Sequence, residues 1–206
     1  MDKSKHLLLI FTRNPELGKC KTRLAAKVGD QAALDIYKFL LSHTVNITSE
    51  LDVTKWVFYS NEIWEADIWA NGTYQKKLQN GADLGQRMLT AFQEGFESDY
   101  EKIIIIGSDM YDLSQADLEL AFFQLNQHDY VVGPAEDGGY YLLGMTVLKK
   151  ELFQDKQWGT ETVLEDTLKH LKQEKVSMLP VKNDVDHYED IKDIKAFQPF
   201  LKHMKE

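Results

Sequence analysis

Ile103-Ile104-Ile105-Ile106-Gly107-Ser108-Asp109 decides how the rest of the chain is read: four β-branched apolar residues in a row, then a glycine, a hydroxyl and a carboxylate. Isoleucine is stiff at χ1 and packs well on a pleated surface. An unbroken apolar run presents no polar face to water, so it predicts a strand buried on both sides, as in a parallel sheet covered by helices. Such sheets bind ligands outside the carboxyl ends of their strands, and that is where Asp109 emerges.

Asp109 and Asp112 enter a tight turn. Hard oxygen donors suit magnesium or manganese, which bind through one or two carboxylates together with substrate phosphates and water. For an isolated Asp a turn cap is the simpler reading, and the position behind a buried strand favours the metal. Asp184-Val185-Asp186 follows an extended segment over 176–181 and can reach the same sheet edge, although by itself it reads equally as a solvated turn.

Upstream, His6 to Thr12 is a second apolar run, of strand length. After it Arg13, Lys19, Lys21 and Arg23 place four cations in a short stretch of a chain whose formal net charge is -9. Lys and Arg beside a helix start neutralise a di- or triphosphate by charge-assisted bonds, which makes Thr12 to Leu24 a phosphate cradle or, more plainly, a solvated basic turn. Gly18-Lys19 lacks the earlier glycine and the following Ser or Thr of a P-loop, and no Gly-x-Gly-x-x-Gly follows a strand. ATPase and dehydrogenase readings fall.

Further elements alternate. Helical patterns cover 31–51, 62–70, 84–96 with Asp83 as N-cap, 115–124 with Ser114 as N-cap, 158–171 and the tail. Strands are expected over 53–60, 74–78, 130–133, 140–145 and 176–181. This β/α alternation predicts an α/β fold with a mainly parallel sheet and helices on both faces, with a local antiparallel excursion where two strands lie close after Asp129. Between those strands stands Gly133-Pro134-Ala135-Glu136-Asp137-Gly138-Gly139-Tyr140-Tyr141-Leu142. A hairpin explains its glycines, but close backbone approach to a ligand also needs them, and the acids and tyrosines offer hydrogen bonds and stacking faces.

Length and composition set the frame. With 206 residues, 43% hydrophobic, 11% aromatic and four prolines, the chain is expected to fold as a single domain over 1–206. The acidic balance argues against nucleic-acid and anionic membrane partners. A lone Cys20 excludes an internal disulfide and a Cys-based zinc site, while the polar start Met1-Asp2-Lys3-Ser4-Lys5 precedes too short an apolar run for a signal peptide or a membrane span. A cytoplasmic location is expected. The six histidines lack metal-ligand spacing and no nucleophile elbow is present.

Six segments in order carry a family pattern: Lys21-Thr22-Arg23-Leu24, Asp83-Leu84-Gly85-Gln86-Arg87-Met88, Gly107-Ser108-Asp109, the 133–142 segment, Trp158-Gly159-Thr160 and Asp184-Val185-Asp186. The chain resembles a bacterial family of the nucleotide-diphospho-sugar transferase superfamily, provisionally described as glycosyltransferases. The resemblance implies the GT-A fold, a three-layer sandwich around a mixed, mainly parallel sheet. The superfamily also holds nucleotidyltransferases, such as phospholactate and molybdopterin guanylyltransferases, that share the strand-then-Asp metal site. It implies Mg2+ or Mn2+ on Asp109 with Asp184 or Asp186. Thr12, Arg13, Lys19, Lys21, Arg23, Gly85 and Arg87 would lie along the nucleotide, with Gly138, Gly139, Tyr140, Trp158 and Thr160 around the sugar or acceptor. Asp109 and Asp137 would be catalytic, Asp137 as a base or hydroxyl-orienting group. The chain departs from the family at Tyr111, where proline is usual. Expected partners are a nucleotide sugar or nucleoside triphosphate, a small-molecule acceptor and, as an option, a second copy of the chain. The competing readings are glycosyl transfer, nucleotidyl transfer onto a phosphorylated acceptor, and a nucleotide-binding module without turnover.

Overall fold

A computed structural model describes residues 5–204, so residues 1–4 of the polar start lie outside the described residues. Seven strands form one sheet: β1 (His6–Thr12), β2 (Thr54–Tyr59), β3 (Gln75–Leu78), β4 (Lys102–Gly107), β5 (Tyr130–Pro134), β6 (Tyr140–Met145) and β7 (Val176–Met178). They lie in the order β3-β2-β1-β4-β6-β5-β7. All pairings are parallel except those of β6, which runs antiparallel to both β4 and β5. The expected excursion is this one strand.

The isoleucine run divides between two cores. Ile104 and Ile106 join Leu8, Ile10 and Val57 beneath α2 (Asp30–Thr48) and α4 (Gln115–Gln124). Ile103 and Ile105 join Leu7, Leu9 and Phe58 against α3 (Leu84–Glu97) and the end of α5 (Val163–His170). Alternation at period two sends successive side chains to opposite faces, so a continuous apolar strand feeds both layers. The result is the three-layer α/β sandwich. A third cluster seats α1 (Thr22–Val28) and the carboxyl-terminal segment on the outer side of α2 through Leu24, Ile36, Leu40 and Phe197.

Capping follows the local chemistry. Asp83 accepts from the Gln86 amide at 2.8 Å to start α3, and Ser114 with Asp117 forms a capping box that starts α4. Two expectations need correction, and a third takes a more specific form. Residues 62–70 form bends rather than a helix. The Lys76 ammonium takes the carbonyls of Trp64 and Glu65, and the Asp67 carboxylate accepts from the Trp69 amide and the Tyr59 hydroxyl. Those tertiary bonds replace the bonds of a helical turn. The helix expected over 158–171 begins only at Val163, because Gly159 turns the chain at φ 82° and the Leu164 amide donates to Gly138. The tail is helical as expected, in the 3-10 form, with Pro199 inside Lys195–Met204, where a missing amide hydrogen breaks the longer-range ladder. Among the described residues no helix is long and apolar enough to cross a membrane.

Candidate functional site

The chain leaves β1 toward β2 on one side and leaves β4 toward β5 on the other, so a crevice opens outside the carboxyl ends of these neighbours. Polar residues follow each parallel strand on this edge: Arg13 and Asn14 after β1, Ser60 and Asn61 after β2, Gln79 after β3, Ser108 and Asp109 after β4. All of them line one cleft of about 660 Å³.

A buried hydroxyl cluster fastens the floor. The Tyr37 hydroxyl, from α2, accepts from the Arg13 amide at 2.9 Å and lies 3.3 Å from Thr12 Oγ1 and 3.2 Å from Ser108 Oγ. Ser108 also donates to Thr12 at 3.1 Å. Burial pushes the Tyr37 phenol up and keeps it neutral. This lock sets the ends of β1 and β4 side by side. Asn14, 2% exposed, bonds the backbone of Asn61 and Glu62, tying the loop after β1 to the one after β2.

Lys21 lies at the centre. Its backbone is left-handed, φ 49° and ψ 46°, immediately before α1. That turn sends the side chain back into the cleft, where only 5% of it is exposed and Nζ donates to Asp109 Oδ2 at 2.8 Å and Asp186 Oδ1 at 3.0 Å. Burial opposes its charge, but the two carboxylates outweigh burial and raise its pKa. Burial likewise works against the Asp109 anion, and Lys21, then Arg13, hold its carboxyl below the usual range. Arg23 pairs with the other oxygen of Asp186 at 3.1 Å. Among the described residues Asp184 has no such partner: burial, then the charges of Asp186, Asp109 and Asp137, push it up to about 6.

The remaining expected phosphate residues separate by position. Thr12, Arg13, Lys19, Lys21, Arg23 and Arg87 line the cleft. Thr12 belongs to the hydroxyl lock, and Lys19 is tied to Glu16 at 2.6 Å. Arg87 is oriented by the Gly81 carbonyl at 3.1 Å and Gln79 at 3.4 Å. Gly85 is not in the lining. A Cβ there would lie 2.5 Å from Trp158 Nε1 and against the Phe153 carbonyl, so this glycine lets the indole pack on α3.

A second cavity of about 240 Å³ adjoins the first, and the two share Phe11, Leu84, Gly107, Asp109 and Asp184. Its wall contains Asp137, Gly139, Tyr140, Trp158 and Thr160, five residues expected around a sugar or acceptor or at the chemistry, together with Met88 and Met110. Gly138 instead shapes the turn: its φ is +86°, and a Cβ would collide with the backbone of Glu161. Asp137 accepts from the Gly139 amide at 2.8 Å. Tyr111, the departure from the family pattern, wedges between Phe39, His43 and Phe197 and pins the turn after Asp109, with ring centroids 4.9 Å apart for the Phe197 pair.

Asp109 and Asp186 converge on one point, and hard carboxylates with space for phosphate oxygens fit Mg2+ or Mn2+. Among the described residues no group of three or more His, Cys, Asp or Glu side chains forms a protein-only metal cage. A two-carboxylate site completed by substrate is what the donor set allows. Sequence reasoning missed Asn14, Tyr37, Asn61 and Gln79. The carboxyl-end rule would have found Asn14, Asn61 and Gln79, and Tyr37 was detectable only as a phenol on the inward face of α2.

Comparison with known structures places the architecture. A protein of Desulfovibrio desulfuricans G20, provisionally named a nucleotide-diphospho-sugar transferase, is 27% identical over 98% of this chain and 96% of its own, with a TM-score of 0.85. A cytidylyltransferase of Leptospira borgpetersenii, at 16% identity, 98% and 94% coverage and TM-score 0.57, shares the fold. So does the 4-diphosphocytidyl-2C-methyl-D-erythritol synthase of Anaerococcus prevotii DSM 20548, at 8%, 100% and 98%, and 0.59. No curated protein matches. Residues 44–160, more than half of the chain, match the model of DUF2064, described as an uncharacterized protein conserved in bacteria, and the chain belongs to that family.

Proposed function

We propose that the protein is a divalent-metal-dependent transferase that uses a nucleotide-activated donor, with glycosyl transfer from a nucleotide-diphospho-sugar as its reaction. The observation that carries this reading is the convergence of Asp109 and Asp186 on Lys21, inside a cleft that gathers Arg13, Lys19, Arg23 and Arg87 in a protein of net charge -9. Cations concentrated on one edge of an acidic molecule match the charge of a diphosphate. The provisional name of the Desulfovibrio protein supports a sugar-nucleotide donor.

Asp109 and Asp186 would hold the ion, and a bound Mg2+ or Mn2+ supplies Lewis-acid neutralisation of phosphate charge, worth several kcal/mol. The Lys21 ammonium stands between the two carboxylates and would share the phosphate charge with the ion. Arg13, Arg23 and Arg87 line the outer phosphates. The bond between the anomeric carbon and the diphosphate oxygen breaks, the acceptor oxygen bonds to that carbon, and its proton passes to Asp137, whose carboxylate borders the second cavity. A nucleoside diphosphate leaves. Nucleotidyl transfer is the second reading, favoured by the cytidylyltransferases that share the fold. The loop Thr12-Arg13-Asn14-Pro15-Glu16-Leu17-Gly18 lacks the glycine-rich stretch of sugar-nucleotide pyrophosphorylases, which supports glycosyl transfer.

Titration calorimetry with nucleoside diphosphates and nucleotide sugars, with and without Mn2+, tests the reading on the native protein and on Asp109→Ala. Manganese-dependent binding that weakens at least about tenfold in the variant is expected. Binding that ignores both metal and substitution refutes it. Mass spectrometry of turnover products then separates a released nucleoside diphosphate from pyrophosphate.

A further inference from the structure

The two cavities differ in charge. Five Lys and Arg residues line the first, together with Asp109, Asp184 and Asp186. The charged side chains lining the second are all acids, Asp109, Asp137 and Asp184, with no Lys, Arg or His. Its side-chain hydroxyls are also engaged already. Tyr141 donates to the Pro180 carbonyl at 3.0 Å, Thr160 to the Gln157 carbonyl at 2.8 Å, and the Tyr140 hydroxyl points at Met88 Sδ, 3.9 Å away. The side chains of this wall therefore offer hydrogen-bond acceptors and apolar area, and few donors.

The geometry points to an acceptor that is uncharged or cationic, presents hydroxyl or ammonium hydrogens to Asp137 and Asp184, and lays an apolar ring face against Trp158 and Met88; phosphorylated acceptors are disfavoured. This inference rests on the donor reading above, which assigns the basic cleft to the nucleotide. Carboxylates are acceptor-only when ionised, so they select for donors. A phosphate in this cavity would face the Asp137 and Asp184 carboxylates with no Lys or Arg in the wall beside them, since Asp109 is paired with Lys21, and like charges at close range disfavour that arrangement. A volume of about 240 Å³ takes one ring rather than an extended chain. Aromatic faces such as Trp158 and Tyr140 suit the apolar face of a sugar ring. Nucleotidyl transfer onto a phosphorylated acceptor is disfavoured by the same wall.

The test uses the full chain with Mg2+ and saturating inorganic pyrophosphate, which occupies the basic cleft whatever base the donor carries. Phenyl glycosides of glucose, galactose and mannose are titrated against the matching sugar 1-phosphates by saturation-transfer NMR. Binding counts only where a Trp158→Ala variant that circular dichroism shows to be folded abolishes it. At least one phenyl glycoside is expected to bind ten times more tightly than its 1-phosphate, and Asp137→Lys is expected to narrow or reverse that ratio, which keeps the test valid should Trp158→Ala unfold. The proposal is overturned if no phenyl glycoside binds, if a 1-phosphate binds equally well, or if Asp137→Lys leaves the ratio unchanged. Failure of Mg2+-pyrophosphate to bind the native protein would instead strike the donor reading.

Discussion

Lys21 holds two carboxylates together from a backbone position, φ 49° and ψ 46°, that a non-glycine residue adopts at a cost of about 1–2 kcal/mol. That strain is offset by two short ion pairs to Asp109 and Asp186. Hydrogen bonds to charged groups contribute about 1.5–3 kcal/mol, so replacing Lys21 by Met is expected to weaken nucleotide binding by roughly tenfold to a hundredfold. Calorimetry measures that loss, and far-UV circular dichroism shows whether the fold survives. The place of this lysine in the cleft was legible from its position in a basic stretch after an apolar strand. Its two partners were not, because Asp109 and Asp186 are distant in sequence and meet only through the sheet.

Among the elements, the loop from Trp158 to Thr160 depends on glycines elsewhere in the chain. Gly85, in the first turn of α3, accepts the edge of the Trp158 indole, and Gly138 lets the turn before β6 pass the backbone of Glu161. Gly85→Ala places a methyl group 2.5 Å from Trp158 Nε1. Overpacking of this kind costs about 1–3 kcal/mol. The expected outcome is a lower melting temperature and loss of phenyl-glycoside binding, with a smaller change in nucleotide affinity; unchanged glycoside binding would show that Trp158 does not form the wall. Sequence periodicity assigned 158–171 to one helix because Leu164, Leu168 and Leu171 recur at helical spacing. Nothing local revealed that residues 158–162 are held as turns by contacts to Gly85 and Gly138. The bends over 62–70 escaped detection for the same reason: their carbonyls are satisfied by Lys76 from β3.

For the whole molecule, the sheet buries Tyr130 on β5 and Tyr141 on β6. Burial, and then the charges of Glu174, Asp129 and Glu151 for Tyr130 and of Asp117 for Tyr141, push both phenols up to about 12. Below pH 10 these residues are protonated in both the folded and unfolded chains, and their contribution to stability is fully present. Between pH 10 and 12 the unfolded chain releases protons that the folded chain retains, so stability falls as pH rises through that window. Denaturant midpoints measured from pH 8 to 12 are expected to drop above 10, with a shallower drop for Tyr130→Phe; a flat profile would contradict the burial. The sequence alone determined the mainly parallel sheet, a local antiparallel excursion after Asp129 and the edge where polar residues gather. These follow from apolar runs and their boundaries, which act over a few residues and leave a readable period. Only the tertiary structure decided that Lys21 bridges Asp109 and Asp186, that Gly85 serves packing, and that a basic cavity and an acidic one share a wall. Those outcomes depend on side chains brought together from separate strands, and no local pattern in the chain encodes such distances.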